Sequence, residues 1–496
     1  MKKIFLSILV AAASLFGASN ASAQIVANFT TEPIAPEFAE MAKQVIDQQT
    51  TNPDAANKVF SKLFNKVKKN KEQATAVGKF FLDNKIYICA KQCANAAYTA
   101  DPAYVPGLML GVGVNLLRNN YGEAGAKLDE ILMNDPDNIE ALRLSARVYK
   151  YVNPYAAIDI LGQIVAREPE NIDAQKQLGD IYYEKLENYP ASIENYGKYF
   201  DLKKNLTKDD LRACENYLIS TMVYGQFDKT MAFIPRVEPL IAGDKNMVVD
   251  RARFVSQMES YDFDNAAQSV AYIAEKQYDD SLYIDMDYDY ASRFFSDVQE
   301  NYDRAIECEK ARFALNDKKI EVLKEVANLY RRKGSPAEGL SYYEKYIELL
   351  GDKADVADRL ALGMYYSSVK DAAETIEEKM ALIEKADPLF EAYMADPEYA
   401  TKYQGPFYRA RLWITDNGAA EEKPKEYFEK TIEVINSLDE DTQLLAATQK
   451  KTALQYILLY YAKSGQTDKC KPYVQGILEI DPEDGLALQV KNLLKL

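Results

Sequence analysis

A small residue returns along this chain at a nearly constant interval. Ala90, Ala124, Ala157, Ala191, Thr230, Ala266, Ala305 and Gly339 follow one another at steps of 34, 33, 34, 39, 36, 39 and 34 residues. A period near 34 is the signature of a stacked repeat. Each such unit is too small to hide its own apolar face, so it must bury that face against its neighbours.

Helix stops keep the same interval. Proline after Asp or Glu occurs at Pro102, Pro136, Pro169, Pro397 and Pro482, and the first three are spaced 34 and 33 residues apart. Proline lacks the N–H that would continue a helix and pushes the preceding residue out of helical backbone geometry. Each Asp-Pro or Glu-Pro therefore closes one unit so that the next can stack on it.

Within a unit the apolar pattern predicts two amphipathic helices and a tight turn. In residues 74–102, Val77, Phe80 and Phe81 mark one stripe, and Ala90, Ala94 and Ala97 mark another. Gly78 and Ala90 are 12 residues apart, and a reversal between them brings two small side chains to the closest approach of the helices. An aromatic residue three positions before the small one recurs as Tyr121, Phe227, Phe263 and Tyr302, placed to plug the open end of the pair.

These units resemble the tetratricopeptide repeat family, whose helix-turn-helix unit of about 34 residues carries the pattern W-x2-L-G-x2-Y, then A-x3-F, then A and P. Leu178, Gly179 and Tyr182 followed by Ala191 match it, as do Gly78, Phe81, Ala90, Ala97 and Pro102. Residues 326–350 match through Ala327, Tyr330, Gly339 and Tyr343, and residues 452–482 through Tyr461, Cys470, Val474, Ile477 and Pro482. The resemblance spans roughly 36–484, without the opening tryptophan and with Arg293 where a small residue is expected. It implies an all-α fold, a right-handed α-solenoid of about 11–12 helix pairs.

The expected organisation is a signal peptide at 1–23, a linker at 24–35, a regular repeat array at 36–350, divergent repeats at 351–484 and a capping helix at 485–496. Lys2 and Lys3, the apolar run from Ile4 to Phe16 and the small residues Ala21 and Ala23 form the export signal. No Cys adjoins the cleavage site, and no other run is long and apolar enough to span a bilayer, so the expectation is a periplasmic or secreted protein without a lipid anchor or an integral membrane segment. Two stretches, 367–380 and 415–426, read as extensions between paired helices.

Composition removes several kinds of chemistry. The chain has no histidine, which excludes Ser-His-Asp and Cys-His catalysis and His-ligated metals. Its formal charge of −16 becomes −18 once the two signal lysines are gone, a balance that repels nucleic acid and favours basic partners. Five cysteines, Cys89, Cys93, Cys214, Cys308 and Cys470, form no disulfide framework and read as small apolar core residues. The acidic run "DMDYDY" (285–290) is similar to a calcium loop, but Tyr290 and Ser296 stand where Gly and Glu are required. Its acids read instead as a helix start favoured by the macrodipole. No cofactor is expected, and no phosphate loop, C-x2-C pair or nucleophile elbow occurs.

In the family the first helix of each unit lines the groove. Carried over, this makes Arg143, Arg147, Tyr151, Lys176, Asp180 and Tyr183, then Lys324, Asn328, Arg331 and Arg332, the candidate binding residues. A basic stripe there would recognise carboxylates by charge-assisted hydrogen bonds. Lys324 with Asn328 resembles half of a carboxylate clamp, but Ala361 and Leu389 replace its other members, so clamp function is not expected. The functional expectation is a non-enzymatic scaffold or adaptor of the bacterial cell envelope that binds a protein or peptide, with a possible place in an envelope-associated complex. The alternatives are a glycan-binding component of an outer-membrane nutrient-capture system and, third, a helical polysaccharide hydrolase built on two carboxylates.

Overall fold

A computed structural model describes residues 27, 29–415 and 421–495, and among them there is no β-strand. The expected signal segment, part of the linker, residues 416–420 of the second extension and Leu496 lie outside the described residues. The chain divides into two compact units at Tyr278 and Asp279, whereas the loss of repeat regularity lies near residue 350.

The first unit pairs α1 (Pro36–Gln48) with α2 (Pro53–Val67), α3 (Lys71–Asp83) with α4 (Tyr87–Ala100), and α5 (Val105–Leu116) with α6 (Tyr121–Asn134). It continues with α7 (Ile139–Val152) and α8 (Pro154–Arg167), α9 (Ile172–Glu184) and α10 (Tyr189–Leu202), and α11 (Leu211–Val223) and α12 (Phe227–Ile241). Its last pair is α13 (Met247–Glu259) with α14 (Phe263–Ser269) and the short α15 (Ala271–Ala274).

The second unit pairs α16 (Asp285–Arg293) with α17 (Tyr302–Leu315), α18 (Glu321–Lys333) with α19 (Pro336–Leu350), and α20 (Val356–Ala372) with α21 (Ile376–Ala395). Then come α22 (Gln404–Leu412), α23 (Glu422–Asn436), the short α24 (Glu440–Leu445), α25 (Ala447–Lys463) and α26 (Cys470–Ile480). The terminal α27 (Gly485–Leu494) buries Ala487 and Val490 against α25 and α26. Pairing α22 with α23 and α25 with α26 makes twelve pairs among the described residues, in line with the 11–12 expected from the period.

Within each unit, successive first helices touch, as α3 touches α5, α9 touches α11 and α20 touches α22, while successive second helices do not approach to the same degree. The first helices therefore line the inner side of each stack.

The five stops named above act as expected, whereas Glu238-Pro239 and Asp387-Pro388 lie inside α12 and α21. Helices end at Ala100, Asn134, Arg167, Ala395 and Ile480, and the following acid takes a ψ between 76° and 127°, outside the helical range. The acid also has a use of its own: Asp101, Asp396 and Asp481 each accept the backbone N–H two residues on, which satisfies the turn.

The small-residue register needs one correction. Ala90, Ala124, Ala157, Thr230, Ala266, Ala305 and Gly339 are buried, each the fourth residue of its helix. Ala191 is only half-buried, and the fourth residue of α10 is Ser192, fully buried with its hydroxyl donating to the Gly179 carbonyl at 3.4 Å. Tyr189 then stands three residues before Ser192, and the aromatic pattern extends to this pair.

The first turn of these second helices is built alike, except in α8. A residue with positive φ precedes the N-cap at Lys85 (59°), Asn119 (56°), Glu187 (49°), Tyr261 (58°) and Glu300 (52°), with Gly225 and Gly334 in the same place elsewhere. The aromatic at the helix start is half-buried and meets the far end of the next first helix. Arg118 lies 4.5 Å from the Tyr87 ring, Tyr151 stacks on Tyr121 at 5.8 Å, and Arg332 lies 5.1 Å from Tyr302. It joins neighbouring pairs as well as closing its own.

Left-handed backbone is unfavourable for a side chain with a Cβ. Lys85→Gly and Glu300→Gly are therefore each expected to stabilise their unit by about 0.5–1 kcal/mol, the strain relieved less the entropy of glycine. Urea midpoints measure this, and a lower midpoint for both variants would refute it.

Arg293 is exposed and lies over Tyr290, 4.8 Å from its ring. A π turn at Phe294–Val298 adds a residue to this helix, and the buried small residue is Ser292, one position earlier. The acids of "DMDYDY" belong to a helix start. Asp287 accepts the Ile284 N–H, Asp285 takes Lys319 and Arg312, and Asp289 takes Arg312. The 367–380 stretch is no separate insertion, because it continues α20 and begins α21.

All five cysteines are free and buried. Burial pushes the thiol pKa of Cys89 up to about 11 and those of Cys214 and Cys308 to about 12. Since the thiolate is the reactive form, the native protein is expected to give no fast reaction with a disulfide reagent, and five thiols after denaturation. A stoichiometric burst in the native state would contradict this.

Candidate functional site

The six candidates of the first unit do not all converge on one site. Arg143 and Arg147 line a cleft of about 990 Å3 between α7 and the start of α9. Glu140, Glu168, Glu170 and Asp173 line it too, and Glu168 accepts from both Arg143 (3.5 Å) and Asn171 (2.5 Å). The expected basic stripe is thus absorbed by local acids at this point. Lys176 pairs with Asp180 at 3.1 Å, and Asp180 also accepts from Tyr196. Tyr151 lies at the end of its helix, with Tyr121 on it and Lys185 5.1 Å from its ring. Tyr183 packs edge-on against Tyr189, and burial raises its phenol pKa.

The second unit brings its candidates together. Lys324, Asn328 and Arg331 recur at helical spacing on α18 and line one pocket of about 280 Å3 with residues of α20 and α22. These are successive first helices, so the pocket lies on the inner side of the stack. Arg332, one residue on, points elsewhere and binds Asp297 and the Ser296 carbonyl.

Several pocket groups are positioned by neighbours. Lys324 donates to Asp358 at 3.1 Å and lies 5.2 Å from the Tyr346 ring. Asn328 accepts from the Tyr365 hydroxyl at 3.2 Å. Burial raises the Tyr365 pKa and the nearby Arg331 guanidinium opposes that rise. Arg331 and Arg411 form no ion pair among the described residues, although both line the pocket.

The backbone carbonyl of Arg411 accepts from the buried Lys370 at 3.1 Å, which ties this end of α22 to α20. Ser367 and Ser368 add hydroxyls from the stretch read as an extension, so longer helices here supply pocket wall.

Tyr343 also lines the pocket, its ring 4.8 Å from that of Tyr365. Its side chain is 1% exposed, and its enclosed hydroxyl has no hydrogen-bond partner among the described residues. An ordered water commonly satisfies a buried hydroxyl of this kind. Arg411 was missed because the register loosens after residue 351. The helical run "YRARL" (408–412), one pair beyond Tyr365, is the signal that would have found it.

The pocket offers two unpaired guanidinium groups, one ammonium, one amide and several hydroxyls, against a single carboxylate, Asp371, which is held by Lys370 at 2.7 Å. Chemically it is a donor-rich recess suited to an anionic oxygen group.

No family model matches the chain, and no curated protein matches it. Among solved structures it is similar to the C-terminal part of a TPR repeat-containing protein from Cytophaga hutchinsonii, with 18% identity over 56% of this chain and 98% of that one and a TM-score of 0.42. It is also similar to a tetratricopeptide repeat protein from Parabacteroides merdae, with 17% identity, 52% and 98% coverage and a TM-score of 0.33. A third is PilW, a type IV pilus biogenesis factor, at 13% identity, 43% and 97% coverage and a TM-score of 0.33. From its own helix pairing, register and caps, this chain is an all-α array of tetratricopeptide-like helix pairs.

Proposed function

We propose that this protein is a non-catalytic, exported scaffold of the bacterial cell envelope, periplasmic or secreted, that binds an acidic segment of a protein partner in the pocket between α18, α20 and α22. The observation that carries this reading is that Arg331 and Arg411, neither in an ion pair among the described residues, line one pocket whose single carboxylate, Asp371, is held by Lys370. Both guanidinium groups are exposed, and on a chain of net charge −16 they form a local cationic site that an acidic segment can meet. Export rests on the signal segment at 1–23.

The exposed tyrosines Tyr151 and Tyr155 belong to the first unit and are not among the residues that line this pocket, so the glycan reading gains no support from them.

The test is capture of partners by the mature protein from an envelope extract of its own source, with salt elution. The Arg331→Ala/Arg411→Ala variant is expected to lose the salt-eluted partner, its affinity falling at least about tenfold for two charge-assisted hydrogen bonds. Equal capture by the variant, at matched helical content, would remove the pocket from the proposal.

A further inference from the structure

Ala27 and residues 29–35, within the extended linker expected at 24–35, lie against the first helices of the first unit. Ala27 is buried with Leu108, Val112 and Leu116 of α5, and Phe29 packs on the apolar cores to either side of it. Thr31 is half-buried, whereas Thr30 and Glu32 are exposed. That alternation is the pattern of an extended strand with one face down.

Gln73, near the start of α3, holds the segment by its backbone. Its side-chain amide accepts the Ala35 N–H at 2.9 Å and donates to the Pro33 carbonyl at 3.0 Å. In an extended chain these two groups point the same way, so one amide reads the backbone as a neighbouring strand would. Gly113 of α5 lies next to Ala27, where a Cβ would stand in ordinary contact, 3.6 Å from that of Ala27, and 2.5 Å from the end of the Leu82 side chain. Lys79 lies 5.5 Å from the Phe29 ring.

We propose that residues 27–35 are a cis-bound peptide: a detachable strap filling a seat, formed by α3 and α5, that recognises an extended segment with a small residue and an aromatic two positions apart. The attachment is slight for its length. Among the described residues the Gln73 amide makes both of the hydrogen bonds that tie it to α3, and Ala27, Phe29 and Ile34 carry its apolar packing. Segments held this way open locally without global unfolding. The proposal is independent of the pocket around Arg331, which belongs to the other unit.

The test uses the full chain and a fluorescein-labelled peptide of residues 27–35. Phe29→Ala should release the strap, and the variant is expected to bind the peptide at least about tenfold more tightly than the unaltered chain, the scale of one buried aromatic side chain. The same peptide with Phe29→Ala should not bind. A Phe29→Ala chain of native helical content that ignores the peptide overturns the proposal, as does equal binding by the unaltered chain.

A fluorophore on Thr30→Cys in an otherwise unaltered chain provides a second measurement if Phe29→Ala misfolds. Saturable change in its emission with excess peptide is expected, and none overturns the strap. Sedimentation as a dimer that peptide converts to monomer would place the segment in a neighbour's seat and overturn the cis assignment.

Discussion

Replacing Gly339 by valine is expected to destabilise the second unit by about 4 kcal/mol or more, above the usual range for overpacking because the obstacle is backbone. A Cβ at this position would lie 2.8 Å from the Ala327 carbonyl oxygen and 3.1 Å from the Tyr330 Cβ. The oxygen is part of α18, whose own hydrogen bonds hold it in place, so relief requires α18 and α19 to separate. Separation would disturb Tyr343, four residues on, and with it the pocket.

Gly339→Ala should fall between, at about 1–3 kcal/mol. Gly162→Ala is the control, because nothing lies within 4 Å of its Cβ and a mid-helix glycine is replaced by a better helix former. It should gain about 0.5–1 kcal/mol. Chemical denaturation measures all three, and a neutral Gly339→Val would show that the pair is not held at its closest approach there.

Asp210→Ala is expected to cost the first unit about 3–4 kcal/mol, since it strands the buried Tyr199 hydroxyl and leaves the partly exposed Lys203 without its counter-charge. Asp210 is 2% exposed and accepts from Lys203 (2.7 Å), the Thr207 N–H (2.8 Å), the Thr207 hydroxyl (3.0 Å) and Tyr199. Burial by itself would raise its pKa, but these donors outweigh burial and hold it at about 2.

The folded value thus lies below the ordinary one, and the stabilisation is present above about pH 4 and lost as the pH falls towards 2. Roughly 2.5 kcal/mol is at stake over that window. Urea midpoints at pH 7, 4 and 2.5 should fall more steeply for the unaltered chain than for Asp210→Ala. Parallel slopes would mean that another carboxylate governs acid unfolding.

The regular part of the fold was legible because helix pairing is written in short-range chemistry. The Asp-Pro stops, the small residue in the first turn and the aromatic three places before it each act within a few residues of themselves. Where the reading slipped, at Ala191 and Arg293, one extra residue intervened. The count of 12 between Gly179 and Ala191 hid Ser192, and a π turn shifted the burial from Arg293 to Ser292. A period averaged over units cannot register a single-residue change in one turn, although the packing does.

The candidate residues divided for a different reason. Periodicity placed Lys324, Asn328 and Arg331 on one face of one helix, and that much follows from a spacing of three to four residues. Whether such a face stays available depends on what surrounds it. At Arg143 these are Glu140, one turn earlier on the same helix, and Glu168 at the end of α8, and at Arg331 they are Arg411 and Tyr343.

Taken alone, the order of residues determined that this protein is a row of paired helices, how many there are and where most of them stop, because a two-helix unit buries its stripe only against a copy of itself. Tertiary structure decided which charges remain unpaired, which tyrosine hydroxyl is enclosed, and that residues 27–35 fold back onto α3 and α5. Those outcomes depend on side chains 30 to 80 positions apart meeting in space, and no local periodicity encodes such meetings.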